Sequence, residues 1–284
     1  MEKTLLSFGH GFSARALALR LIPQGWRIIG TTRSTDKLDA IAATGVEPLL
    51  WPGTDVRDLI ELAPNILISA GPNEDGDPVL HALNAEMTAA APNKHWVGYL
   101  STTGVYGDHQ GAWVDEQTPL TPATKRGQAR VKAEADWQAI PGIPLHIFRL
   151  AGIYGPGRGP FAKVRNGTAR QIIKEGQVFS RIHVEDIAQA LELSINAPAP
   201  GAIYNLCDDD PAPPQDVIGH AAELLGLSLP PATRFEDAEM SPMARSFYAE
   251  SKKVRNTYAK EALGWVPKYP DYRTGLAALL KSET

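Results

Sequence analysis

The chain has 284 residues and a mass of 30.7 kDa, with Lys plus Arg at 28 against Asp plus Glu at 32 and a pI near 6.0. This slightly acidic balance leaves no footprint for nucleic acid or an anionic membrane, and neither is expected as a partner. The lone cysteine, Cys207, excludes an internal disulfide, and no bound metal is expected. No apolar run approaches the ~20 residues of a membrane span, and no cationic leader opens the chain. A cytoplasmic location is therefore expected.

Short apolar runs alternate with segments of helical period, which predicts βαβ units and a parallel sheet. TLLSF (4–8) is expected as the first strand, and ARALALRLI (14–22) as a helix stopped by Pro23 and Gly25. WRIIGT (26–31) reads as the second strand and TDKLDAIAA (35–43) as a helix closed by Gly45. EPLLW (47–51), NILISA (65–70) and HWVGYLS (95–101) follow as strands, with helices over 54–63 and 78–91 between them. KRGQARVKAEADWQA (125–139) is the next helix and LHIFRLAGI (145–153) the next strand. Pro156, Gly157, Gly159 and Pro160 then break the rhythm. RIHVEDIAQALELSI (181–195) and AIYNL (202–206) read as a return to the main sheet, and the rest as helix-rich and Pro-punctuated.

The motif with the most chemistry is SFGHGFSARALALRL. Gly9, Gly11 and Ala14 form Gly-x-Gly-x-x-Ala directly after a strand and at the opening of a helix. Gly9 permits the tight turn, and Gly11 leaves room for a pyrophosphate. Ala14 lets the helix pack closely, and the helix N-terminus supplies free N–H groups. The end of the second strand reads IIGTTRSTDK, without the Asp or Glu that binds ribose hydroxyls in NAD enzymes. Arg33 suits a 2′-phosphate, with Ser34 and Lys37 beside it, so NADP is expected over NAD.

These features predict an α/β fold, a Rossmann-type doubly wound parallel sheet with a smaller, helix-rich C-terminal lobe. The expected division is discontinuous. Residues 1–155 with about 180–207 make the dinucleotide-binding domain, and about 156–179 with 208–284 a substrate lobe.

Beyond the Gly-rich turn, LSTTGVYGD (100–108), AWVDEQTPLTP (112–122), FRLAGIYGPGR (148–158), RIHVEDIAQAL (181–191), GAIYNLCDDDP (201–211) and KEALGWVPKYPDYRTGLAALL (260–280) follow in order. With them the sequence resembles, almost end to end, the extended short-chain dehydrogenase/reductase family, its NAD(P)-dependent epimerase/dehydratase group. The resemblance implies a cofactor set of Gly9, Gly11, Phe12, Ala14, Arg33, Ser34, Ala70, Gly71, Thr102 and Ile153. It implies a polar small-molecule substrate, sugar-like or anionic, and a homodimer through the helices at 78–91 and 125–139.

The family's chemistry rests on Tyr-x-x-x-Lys and a strand-end hydroxyl. Thr102, four residues before Tyr106, matches the hydroxyl. Counting back from Glu134, the Lys position falls on Arg130 and the Tyr position on Arg126. The three share one helix face, but arginine stays protonated and cannot be a general base. The chain thus resembles an atypical member. Arg126 and Arg130 suit a substrate anion, or Arg130 pairs with Glu134. Tyr106, His109, Lys125 and Lys132 are the titratable groups near enough in sequence to replace the Tyr. His183 reads as a buried, hydrogen-bonded histidine, and Asp208, Asp209 and Asp210 as a turn rather than a metal site. The leading expectation is an NADP-dependent oxidoreductase or epimerase/dehydratase-type enzyme with a non-standard proton relay. The alternative is a catalytically inactive NADP-binding sensor or regulator.

Overall fold

The computed structural model describes residues 3–283. Seven strands form one all-parallel sheet: β1 (Thr4–Phe8), β2 (Arg27–Thr32), β3 (Glu47–Leu50), β4 (Asn65–Ile68), β5 (Trp96–Thr102), β6 (Leu145–Leu150) and β7 (Ile203–Leu206). Their spatial order is β7-β6-β5-β4-β1-β2-β3. The chain therefore starts mid-sheet, winds out to β3, crosses back beside β1 and winds to the opposite edge. In such sheets ligands bind at this switch, beyond the carboxyl ends of β1 and β4.

Both faces of the sheet are covered, which is why its strands read as unbroken apolar runs. Successive residues point to opposite faces. Leu5, Leu67, Trp96 and Phe148 pack under α1 (Phe12–Leu21), whereas Leu6, Ile66, Val97 and Ile147 face the other layer. After the short α2 (Leu38–Ala42), that second layer is built from α3 (Arg57–Leu62), α4 (Pro78–Ala90) and α5 (Lys125–Gln138). Each fully buried Leu or Ile contributes roughly 1.5–3 kcal/mol. Further along lie α6 (Phe161–Arg165), α7 (Val184–Asn196), α8 (Pro214–Leu224), α9 (Pro242–Phe247), α10 (Thr257–Leu263) and α11 (Tyr272–Ser282). Helix α7 joins α1 on its face through Ile187, Leu191 and Ile195. A separate core of Tyr154, Phe161, Val164, Val217, Ala221, Tyr272, Leu276 and Leu279 ties α6, α8 and α11 together.

Three expectations change. LHIFRLAGI is not one strand, because β6 stops at Leu150 and Gly152–Tyr154 pairs in parallel with Arg181–His183 in a sheet of its own. Accordingly 181–195 does not return to the main sheet through a strand; β7 alone completes that edge. The cause is a change of hydrogen-bond partner. Ala151 N–H still donates to Leu206 of β7, but Gly152 N–H donates to Ser180. Residues 35–43 also divide, into a single 3₁₀ turn at Thr35–Lys37 and α2.

Candidate functional site

The Gly-rich turn has the geometry its sequence demands. Gly9 has φ +77°, and a Cβ there would stand 2.8 Å from the Ala70 nitrogen. Its N–H donates to Thr31 Oγ1 (2.9 Å), and the next N–H, of His10, donates to the Thr31 carbonyl (2.7 Å). The turn is thereby pinned to the end of β2. At Gly11 a Cβ would meet nothing nearer than 3.8 Å, so one face of this glycine is open. Gly11 caps α1 with no side-chain acceptor, which leaves first-turn N–H groups of the helix free, the chemistry a phosphate would use. Ala14 is buried at the helix–sheet contact. The residues therefore fit a dinucleotide.

The opposite wall follows β4. Ser69 and Ala70 both donate N–H to the Phe8 carbonyl (2.9 and 3.0 Å), drawing this segment against the turn. Arg33 is exposed just past β2, with no carboxylate within 4 Å among the described residues. Ser34 N–H donates to Thr32 Oγ1 (3.2 Å). Phe12 is half-buried, and the Arg158 guanidinium lies 5.7 Å over its ring.

A cleft of about 1140 Å³ runs from this crevice to the C-terminal core. Gly71, Thr102, Arg126, Arg130 and Ile153 line it. Thr102 Oγ1 accepts the Gly104 N–H (3.1 Å), which leaves its own O–H to donate elsewhere. Arg130 is held by the Leu100 carbonyl (2.7 Å) and Tyr99 Oη (3.1 Å), and its Nη2 would be 2.9 Å from a Cβ on Gly71. The alternative of an Arg130–Glu134 helix pair does not occur. Glu134 turns inward instead, accepting from Ser101 Oγ (2.5 Å) and pairing with Arg149 (2.8 Å), with both charged groups buried. Arg126 is exposed at the mouth, 5.7 Å from the centre of the Phe247 ring.

Tyr106 lies outside the cleft. It is fully buried, accepts from Arg149 (3.0 Å) and donates to Asn205 Oδ1 (2.8 Å), while burial pushes its hydroxyl up to about 12. Its hydroxyl joins Arg149 and Asn205 in one network. His109 faces the Tyr106 carbonyl (3.1 Å), and Lys132 pairs with Asp136 along α5 (2.5 Å). None of Tyr106, His109, Lys125 and Lys132 lines the cleft. His183 accepts the Glu185 N–H through Nδ1 (3.2 Å), and burial lowers it to about 4, so it is neutral. Of the triple acid, Asp209 pairs with Lys260, Asp210 with Arg273, and Asp208 is buried.

Sequence reasoning missed several residues. Arg158, Lys163, Arg181, Tyr248 and Lys252 also line the cleft. The Gly-rich GPGRGP stretch signalled an exposed Arg158; nothing local marked the others. His10 was also missed. Its ring lies over Gly30, where a Cβ would fall 2.6 Å from it, and burial lowers it to about 4.

No protein-family model matches the chain. A protein of unknown function from Silicibacter pomeroyi DSS has a solved structure that is 61% identical, with a TM-score of 0.95 over 99% of this chain and 100% of that one. Protein YeeZ of Escherichia coli K12 is 29% identical over 287 residues, which are 95% of this chain and 97% of its own. A structure from Methylobacillus flagellatus, described as a candidate NAD-dependent epimerase/dehydratase, is 26% identical with a TM-score of 0.74 over 100% of this chain and 99% of its own. In fold, and in part in sequence, the chain is similar to proteins of the short-chain dehydrogenase/reductase family, epimerase/dehydratase group. Where the resemblance places that family's catalytic pair, this chain has Arg126 and Arg130. Among the described residues no helix is long and apolar enough to cross a membrane.

Proposed function

We propose that the chain is an NADP(H)-dependent oxidoreductase or epimerase/dehydratase-type enzyme acting on a polar, anionic small molecule in the cleft. One observation carries the reading: Ser13 in the first turn of α1, a helix whose N-terminus has no side-chain cap, lines the same cleft as Thr102 and Arg130. Gly9, Gly11, Phe12 and Ala14 would hold the pyrophosphate, Arg33 and Ser34 the 2′-phosphate, and Ala70, Gly71, Thr102 and Ile153 the nicotinamide half. The unpaired Arg33 supports NADP over NAD. When bound, the nicotinamide supplies or accepts a hydride.

The remaining work falls to the chain. Arg130 cannot release a proton, but a permanent cation fixed on a backbone carbonyl stabilises an oxyanion that develops beside it. Thr102 Oγ1, with its proton free to donate, hands that proton to the substrate oxygen, and cleft water replenishes it. Arg126 draws the anionic group to the mouth. A cytoplasmic homodimer packed through α4 and α5 completes the reading, and light scattering tests its mass.

A second reading has an observation of its own. No Tyr or Lys stands at the two relay positions, which suits a sensor that binds NADP(H) without turnover. The deciding experiment incubates NADPH with anionic carbonyl compounds and follows loss of its nicotinamide absorbance. Turnover is expected, with Thr102→Val lowering kcat roughly a hundredfold or more. Binding of NADPH without turnover of any compound would favour the sensor.

A further inference from the structure

Arg181 opens the short strand beside Gly152–Tyr154 and faces the cleft. Its Nη1 donates to the carbonyls of Phe179 (2.8 Å) and Ala212 (3.0 Å). No carboxylate lies within 4 Å of it among the described residues, and its Nε and Nη2 find no partner there. The residue is half-buried at the cleft wall, so these donors are left for solvent or a ligand. The chain has acids nearby but does not spend them on it. Asp210 is taken by Arg273 (2.7 Å), and both Asp208 oxygens are buried without a hydrogen-bond partner. Burial raises the Asp208 carboxyl, and although its charge favours the Arg181 cation through space, no ion pair within 4 Å joins them. The cleft wall around Arg181 is apolar and aromatic: Tyr154, Val217, Tyr272 and Leu276.

We infer that Arg181 is the anchor for a carboxylate on an organic substrate, taken bidentate by the free Nε–Nη2 edge while the apolar body of the molecule lies against Val217, Tyr272 and Leu276. The planar fork matches two carboxylate oxygens, and with Nη1 occupied only one such edge remains. The inference rests on the reading of the cleft as the substrate site, and it narrows the substrate class to apolar-bodied carboxylates. It assigns Arg181 to specificity and leaves the proton and hydride steps to the other end of the cleft.

The test is an NMR titration of the NADPH-loaded protein with benzoate, neutral benzamide and inorganic phosphate. NADPH affinity is measured first on each variant. Benzoate is expected to bind, and Arg181→Gln to weaken it at least about tenfold without changing NADPH affinity or the weaker benzamide binding. Arg181→Lys, which keeps the charge and loses the fork, should fall between. Benzoate bound equally by Arg181→Gln, or not bound by the wild-type chain, overturns the inference. Phosphate bound in its place with the same Arg181 dependence overturns the carboxylate assignment. Failure of NADPH to bind sinks the proposed function instead, and the benzoate titration without cofactor then decides the anchor alone. If Arg181→Gln fails to fold, Arg181→Lys carries the comparison.

Discussion

Arg149 and Arg130 reach the end of β5 from different sides of the chemistry, and their surroundings differ in kind. Arg149 is sealed: Glu134 takes its charge, Tyr106 takes another donor, and Ser101 and Asn205 close the network. Arg130 is fixed only by an uncharged carbonyl and a hydroxyl, and it stays open to the cleft. A buried charge is tolerated when its partner is supplied within the fold. A cation left to neutral acceptors at a cleft keeps its charge for a ligand. Position along α5 does not reveal which kind a residue is, because Glu134 and Arg130 share one face of that helix.

The sharpest way to break this contrast is Glu134→Gln. It strands the buried Arg149 and is expected to cost about 3–5 kcal/mol, read as a lower urea midpoint. A loss below about 1 kcal/mol would mean that the sealed network is not needed. Arg130→Met is the mirror experiment. Stability should change by no more than about 1.5 kcal/mol, whereas turnover should fall about a hundredfold, near 2.7 kcal/mol. Equal losses in both would make Arg130 structural.

Arg33→Ala tests the other open cation. Calorimetry should show NADPH affinity reduced about tenfold to a hundredfold, or roughly 1.5–3 kcal/mol, with NADH affinity unaltered. Parallel losses for both cofactors would remove the 2′-phosphate role.

The effect of Asp208→Asn is read as a pH dependence. The folded carboxyl titrates near 8 and the unfolded one near ~3.9. Between those values the unfolded chain has released a proton that the folded chain retains. Wild-type stability should therefore fall as pH rises from about 4 toward 8, and level off above. The variant lacks this slope, so its melting temperature should gain on the wild type across that window, by about 2–4 °C per kcal/mol. A constant difference at all pH values would show that Asp208 is not held protonated.

Much of the fold was legible because parallel strands buried on both faces leave long apolar runs, and Gly and Pro punctuate them. The Gly9–Ala14 turn was legible for a local reason: its φ value and helix start are set by residues a few positions apart. The Gly152–Tyr154 strand was not, because its change of partner depends on Ser180, far along the chain. The cleft was legible only in part. Thr102, Arg126 and Arg130 were picked out only through the family resemblance, on one strand and one helix. The enclosure of Tyr106 depends on Arg149 and Asn205, and no local pattern reports burial by distant strands.

The sequence by itself determined the sheet, the Gly-rich turn and the placing of Arg126 and Arg130 on one helix face, since each is written in short-range spacing. Only the tertiary structure decided which charges are matched. Glu134 went to Arg149 rather than to Arg130, and Arg181 was left with carbonyls alone. The physical reason is that the energy of a charge depends on burial and on counter-charges brought from remote segments, and those meet only when the chain has folded.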